Sequence, residues 1–341
     1  MEKFNTLGKE KNILIFSHRS DIDGMGPVIL SKIAFDKVTY YLCEKTDLAD
    51  YIQKSIKTNE IYNADYIFVT DLAISEKELT LLSDERLSDK VYVFDHHQAS
   101  LDIDTNRYPF VIANYENETG KCSGTSLFYE FLIKRKYLNP SMKIKEFVEL
   151  VRRYDTWEWK KYNDNMARDL TLLFECIGQE NFISSMTTSL MSNPEQSFDF
   201  SKEEKTLIDS KKQQITSKVK EYAAHIIIKK ILDYNIGVVF IEYEYRNELA
   251  DYLKQMNFDI DIAMLVAIDK GFTRSLRVIK PESDIRSIAE YINDNNYAIS
   301  ASVPVTEEQK NQINELLSSN YSAQQQRIKM VKILTRKGNN S

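Results

Sequence analysis

Residues 91–97 read Val91-Tyr92-Val93-Phe94-Asp95-His96-His97. The first four have the β-branched and aromatic make-up of a buried strand. The last three place a carboxylate and two imidazoles where that strand gives way to loop. The arrangement recurs twice toward the N-terminus. Ile13-Leu14-Ile15-Phe16 leads into His18-Arg19-Ser20-Asp21-Ile22-Asp23-Gly24, and Tyr66-Ile67-Phe68-Val69-Thr70 ends on Asp71. Open α/β sheets build their sites beyond the carboxyl ends of their strands. Imidazole and carboxylate are the usual nitrogen and oxygen ligands of divalent transition metals. The chain has four histidines, and three of them lie at two such strand ends. A metal site accounts for that distribution better than packing does.

Working outward, apolar runs at 13–16, 38–42, 66–69 and 91–94 alternate with helical stretches around 25–35, 47–57 and 76–83. Strand–helix alternation at this spacing predicts a parallel sheet with helices on both faces. From residue 123 the pattern turns helical, with apolar residues at three-and-four spacing over 123–136, 144–154 and 166–177. Residues 193–206 hold few aliphatic side chains, and a lysine- and glutamine-rich helix follows to about Ala224. A second, smaller α/β unit then opens: strands at 225–232, 237–243, 262–268 and 274–278, and helices at 248–256 and 284–292. The expected organisation is therefore an N-terminal domain over 1–192, a linker helix over 193–224, a second domain over 225–303, and a polar, then basic, helix or tail over 304–341.

Composition narrows the function classes. With 341 residues, 43% hydrophobic and 28% charged, the chain is long enough for two ordinary globular domains. Its net charge of −6 argues against tracking of long nucleic acid, which needs a basic face. Short anionic ligands remain open, because a metal site can hold them locally. Three scattered cysteines suit a reduced compartment rather than a disulfide framework. The polar start and the absence of an apolar run of about 18–20 residues predict a cytoplasmic protein without a membrane span. The oligomeric state, homodimer included, is left open.

Each acidic position has an ordinary explanation when taken alone. Asp71 reads as a helix N-cap and His18 as a hydrogen-bonded turn residue. Asp155, in Arg153-Tyr154-Asp155-Thr156-Trp157-Glu158-Trp159, reads as a helix-end acid with both tryptophans in the core. Together they do not, since carboxylates gathered this closely repel unless cations neutralise them. Two ions sharing a bridging carboxylate, manganese first with magnesium or cobalt as alternatives, are the economical solution. A pair held about 3.5–4 Å apart suits in-line attack on phosphorus.

These clusters, in this order, resemble the DHH phosphoesterase superfamily, named for the Asp-His-His triplet. They are most similar to its NrnB-type oligoribonucleases. Phe68-Val69-Thr70-Asp71-Leu72-Ala73, Phe94-Asp95-His96-His97, Thr125-Ser126-Leu127 and the stretch around Asp155 carry the likeness. The resemblance implies that domain 1–192 is the catalytic one. In it His18 and Asp21 would hold one metal and Asp23, His96 and Asp155 the other, with Asp71 bridging. His97 would contact the scissile phosphate and Asp95 would orient a histidine. One departure stands out: Arg19-Ser20 puts two residues between the histidine and the first aspartate where nanoRNases have one.

The second domain resembles the DHH-associated module that grips substrate. Arg274-Ser275-Leu276-Arg277 matches its Ser-x-Arg strand, which makes Arg277, with Arg274 and Ser275, a candidate to hold the non-scissile phosphate. The module's four loop glycines and histidine are replaced here by Asn293-Asp294-Asn295-Asn296-Tyr297. Asn295 and Asn296 can partly substitute for them, because asparagine tolerates left-handed backbone and donates from its side chain. Tyr297 offers either a stacking face or core filling. The resemblance implies hydrolysis of short RNA or DNA oligonucleotides or dinucleotides to mononucleotides. The alternatives are a cyclic-dinucleotide phosphodiesterase, a pAp phosphatase, a RecJ-like single-strand exonuclease, and a catalytically silent nucleotide-binding protein.

Overall fold

The computed structural model describes residues 7–87, 89–118, 120–267, 269, 273–293, 302–319 and 321–336. The chain forms two compact units, 1–209 and 210–341, and the helix Lys202–Ala224 runs across the boundary. In the first unit five strands, β1 (Asn12–His18), β2 (Lys37–Cys43), β3 (Tyr66–Thr70), β4 (Val91–Asp95) and β5 (Val111–Ala113), form one sheet in the order 2-1-3-4-5. Every pairing in it is parallel.

Alternation along the strands builds two cores. Leu14, Phe16, Ile67, Val69, Val91 and Val93 pack with Leu48 and Ile52 of helix Leu48–Lys57, and with Leu79 and Leu82 of helix Glu76–Leu82. Phe68 and Phe94 turn to the other face and meet Phe128 of helix Gly124–Lys134, with ring centroids 5.0 and 5.3 Å apart. Each fully buried aromatic contributes roughly 1.5–3 kcal/mol through removal of apolar surface from water. The expected α/β architecture is present, helices on both faces included.

In the second unit a mixed five-stranded sheet runs in the spatial order Ser302–Pro304, Thr273–Val278, Ile262–Ala267, Tyr234–Ile241, Ile227–Ile231. Only the pairing of Tyr234–Ile241 with Ile262–Ala267 is parallel. All six residues of the central strand Ile262–Ala267 are buried.

Several elements escaped the sequence pattern, and three of them enter a sheet or a core. Strand Val111–Ala113 and strand Ser302–Pro304 span three residues each, too short for any periodicity to register. Helix Gln179–Met191 is the third; it buries Phe182, Ile183, Met186 and Leu190. Beyond Pro304 the chain forms two helices, Glu307–Leu317 and Ala323–Leu334, each opened by a capping box, at Thr306 and Ser322. Their Ile313, Met330, Val331 and Leu334 complete the core of the second unit.

Candidate metal centre

The order 2-1-3-4-5 reverses direction between β1 and β3, and the crevice beyond their carboxyl ends is the place where such sheets bind ligands. His18 is the last residue of β1. Asp21 caps the following helix, Ile22–Ala34, by accepting the Gly24 N–H at 3.0 Å through Oδ1. Its Oδ2 lies 2.8 Å from His18 Nδ1, so the two-residue spacing through Arg19-Ser20 still brings histidine and aspartate together. The far nitrogen of the ring, Nε2, is 3.2 Å from Glu44 Oε2. Gly24 is required here, because a Cβ would stand 1.9 Å from the His18 carbonyl oxygen.

Asp23 is fully buried and accepts two backbone N–H groups, from Gly124 at 2.7 Å and Thr125 at 3.0 Å. These are the free amides at the start of helix Gly124–Lys134, where a negative charge is favoured. Asp71 follows β3 in the left-handed region (φ 55°) and does not cap a helix; the next helix is capped by Ser75. Its N–H donates to the Phe94 carbonyl at 2.9 Å, which ties it to the strand that carries the triplet.

His96 Nε2 lies 3.4 Å from Asp71 Oδ1, 3.3 Å from Asp155 Oδ2 and 3.9 Å from Asp23 Oδ2. His18 Nδ1 lies 3.3 Å from Asp71 Oδ2. Asp71 thus stands between two sets, His18 with Asp21, and His96 with Asp23 and Asp155. Within each of the groups His18–Asp21–Asp71 and Asp23–His96–Asp155 one donor atom per residue falls within 4.8 Å of the others. His97 Nδ1 is 2.7 Å from Asp95 Oδ1, and the Ser100 hydroxyl donates to Asp95 Oδ2 at 2.5 Å.

The electrostatics are those of a site built for cations. Burial, reinforced by the charges of Asp23 and Asp21, holds the Asp71 carboxyl well above the usual range. Burial and Asp23 push Asp155 up to about 9. Burial alone would lower His18, but its contacts with Asp21 and Asp71 outweigh that and raise it to about 11. Burial opposes ionisation of Asp95 too, yet the His97 contact keeps it below the ordinary value; His97 is raised in turn, chiefly by Asp95. Four buried atoms that face this space, His18 Nδ1, Asp71 Oδ2, His96 Nε2 and Asp155 Oδ2, have no hydrogen-bond partner of acceptable geometry. Buried polar atoms are rarely left so. Their mixed nitrogen and oxygen chemistry fits divalent ions.

The substrate-side candidates fare unequally. Arg277 and Ser275 line a cavity of 210 Å³ in the second unit, together with Thr273, Tyr243 and Arg246. Burial and the neighbouring Arg246 lower the Arg277 pKa. The Arg246 guanidinium stands 3.7 Å over the Tyr243 ring. Arg274 does not line this cavity: it is fully buried, and its Nη1 donates to the Leu334 carbonyl at 2.6 Å at the end of the last helix. Strand alternation sends it to the face opposite Ser275. Asn295, Asn296 and Tyr297 lie outside the described residues.

Glu44, Ser100, Arg246 and Tyr243 were not singled out from the sequence. Nothing in local spacing links Arg246 to Arg277, since the rest of helix Arg246–Gln255 and the whole of strand Ile262–Ala267 separate them. The Ser123-Gly124 start of a helix was the one legible sign of the cradle around Asp23. Trp157 also departs from expectation: it is 55% exposed rather than in the core.

Comparison with known proteins agrees with this geometry. Residues 12–152 match the DHH family, N-terminal domain. The chain is 30% identical over 304 residues to Oligoribonuclease NrnB of Bacillus subtilis (strain 168), covering 86% of this chain and 73% of that protein. The chain belongs to the DHH family. It is accordingly a hydrolytic enzyme of the phosphodiesterase type, in a family that uses divalent metals. Among solved structures, exonuclease RecJ bound to manganese shares the fold, with a TM-score of 0.52 at 14% identity, covering 96% of this chain and 94% of that one.

Proposed function

We propose that this DHH enzyme is a two-metal, manganese-dependent phosphodiesterase that hydrolyses short oligonucleotides or dinucleotides to mononucleotides. The observation that carries the reading is the convergence of His18 Nδ1, Asp71 Oδ2, His96 Nε2 and Asp155 Oδ2, buried and without hydrogen-bond partners of acceptable geometry, on one space at the switch point of the sheet. His18 and Asp21 would hold one ion, and Asp23, His96 and Asp155 the other, with Asp71 shared. When bound, the ions supply an attacking water of lowered pKa and neutralise charge on the phosphate.

The remaining work falls to the chain. His97 is half-exposed, and its Nδ1 is held by Asp95, which leaves Nε2 as the group to donate toward a phosphate oxygen as charge develops. Ser100 holds the other Asp95 oxygen and so keeps the ring from swinging. Glu44 fixes His18 in the orientation that turns Nδ1 toward Asp21 and Asp71. In the second unit Arg277 and Arg246 line one cavity, and neither forms an ion pair with a carboxylate among the described residues. A guanidinium pair of this kind suits a non-scissile phosphate. The oligoribonuclease activity named for the Bacillus relative supports a substrate of this class.

The test is Mn²⁺-dependent hydrolysis of a panel: a short RNA, pGpG, pAp, a cyclic dinucleotide and pyrophosphate. Release of mononucleotides from the first two is expected. No turnover of any member by metal-loaded protein would overturn catalysis in favour of a binding role, and turnover of pyrophosphate alone would overturn the substrate class. Arg277→Ala is expected to raise KM for a nucleotide substrate and leave metal content unchanged; a loss of bound metal would contradict its placement on the substrate side.

A further inference from the structure

Trp157 sits where folding alone gives no reason for a tryptophan. Its backbone is left-handed (φ 61°, ψ 10°), a conformation that glycine and asparagine tolerate and a large side chain resists. The residue is 55% exposed, so more than half of the surface whose burial would offset such a backbone stays in water. The neighbouring Trp159 behaves as an ordinary structural residue: half-buried, it stacks on Tyr154 with centroids 6.0 Å apart and planes 18° apart.

The turn that carries Trp157 is held from both sides. Its N–H donates to the Tyr154 carbonyl at 3.1 Å, and the Thr156 hydroxyl donates to the Arg152 carbonyl at 2.8 Å. The next residue, Glu158, accepts from Arg152 Nη1 at 2.5 Å, and the same nitrogen donates to the Lys121 carbonyl at 2.8 Å. The ring is therefore presented on an anchored backbone rather than on a loose loop. Only Thr156 separates Trp157 from Asp155, so their Cα atoms lie at most about 7 Å apart. Lys160 Nζ lies 5.1 Å from the ring centroid, which adds a cation beside an aromatic face.

We propose that Trp157 is a stacking platform for a nucleobase of the substrate, a specificity-determining residue that favours base-bearing phosphodiesters over bare ones. The proposal rests on the reading of the enzyme as one that cleaves short nucleotides. An exposed aromatic face takes any base, because every base has a π-face, and a cation beside it suits the accompanying phosphate. Trp157 makes no contact with the reacting atoms in this scheme. Its effect belongs in KM and not in kcat.

The test compares Trp157→Asn and Trp157→Phe with the unsubstituted full-length enzyme on the dinucleotide pGpG and on an abasic dinucleotide of the same backbone. Asparagine suits the left-handed backbone, so Trp157→Asn is expected to melt at or above the unsubstituted temperature, which separates binding from folding. Its KM for pGpG should rise roughly 5- to 150-fold, the factor associated with one stacked base. The kcat for pGpG and the KM for the abasic substrate should stay within about twofold, and Trp157→Phe should recover most of the affinity. An unchanged KM for pGpG in Trp157→Asn overturns this proposal alone, as does an equal loss on the abasic substrate. Failure of the unsubstituted enzyme to cleave pGpG or any short RNA overturns both this proposal and the reading on which it rests.

Discussion

Asp71 concentrates what the candidate metal centre would demand of a single residue. It combines a left-handed backbone, at about 1–2 kcal/mol for an L-residue, with a buried carboxyl whose ionisation burial, Asp23 and Asp21 all oppose. Such penalties persist where function requires them. Asn accepts the same backbone and removes only the charge. Asp71→Asn is therefore expected to abolish turnover and the second equivalent of bound Mn²⁺. In chelator it should raise the melting temperature by about 2–4 °C, the shift that ~1 kcal/mol produces in a domain of this size. Calorimetry and metal analysis read both effects, and near-wild-type turnover would sink the assignment of Asp71 between the two ions.

Helix Gly124–Lys134 couples element to site, because its first amides hold Asp23 and its first residue touches Asp71. A Cβ at Gly124 would come within 2.8 Å of the Asp71 Cβ and 3.0 Å of its backbone nitrogen. Neither atom can yield without moving the end of β3. Gly124→Ala should therefore displace Asp71 by a fraction of an ångström, destabilise the fold by about 1–3 kcal/mol, and lower kcat about a hundredfold, the order expected of a misplaced group. Circular dichroism melting and steady-state kinetics separate the two effects. Activity within twofold of the unsubstituted enzyme would mean that the helix start does not set the geometry of the centre.

For the whole molecule the centre makes stability depend on pH and metal together. Asp155, pushed up to about 9, and Asp71, also raised, hold protons in the folded chain that the unfolded chain releases above about pH 4. His18, raised to about 11, retains its proton above the pH of about 6.5 at which the unfolded chain loses it. In each case the folded state binds more protons, so stability falls as pH rises through these intervals. In the proposed centre metal would take the place of those protons. The melting temperature in chelator is expected to fall between pH 6 and 9, and the increase caused by Mn²⁺ to grow over the same range. A Mn²⁺ effect that shrinks as pH rises would contradict a centre whose ligands must deprotonate to bind.

The sequence by itself determined the period of the sheet and the chemistry at its strand ends. Alternating apolar runs report burial residue by residue, and the acids and histidines that follow each run are local facts. It also supplied the candidate ligands, from His18 and Asp21 through Asp71 to Asp155, that the structure brings together. Tertiary structure alone decided how those groups face one another. Asp23 meets the amides of Gly124 and Thr125 across 101 and 102 residues of chain, a relation that depends on strand order and helix packing and leaves no periodic trace. The same holds for side chains whose environment no local pattern records. Arg274 and Arg277 lie on one strand, yet one is locked to a helix end and the other lines a cavity with Arg246. Trp157 and Trp159 read alike as core aromatics, and only the left-handed turn after Asp155 turns one of them out to solvent. Local pattern specifies which groups are present at each strand end; the distances on which metal binding and substrate recognition depend arise only when distant segments pack.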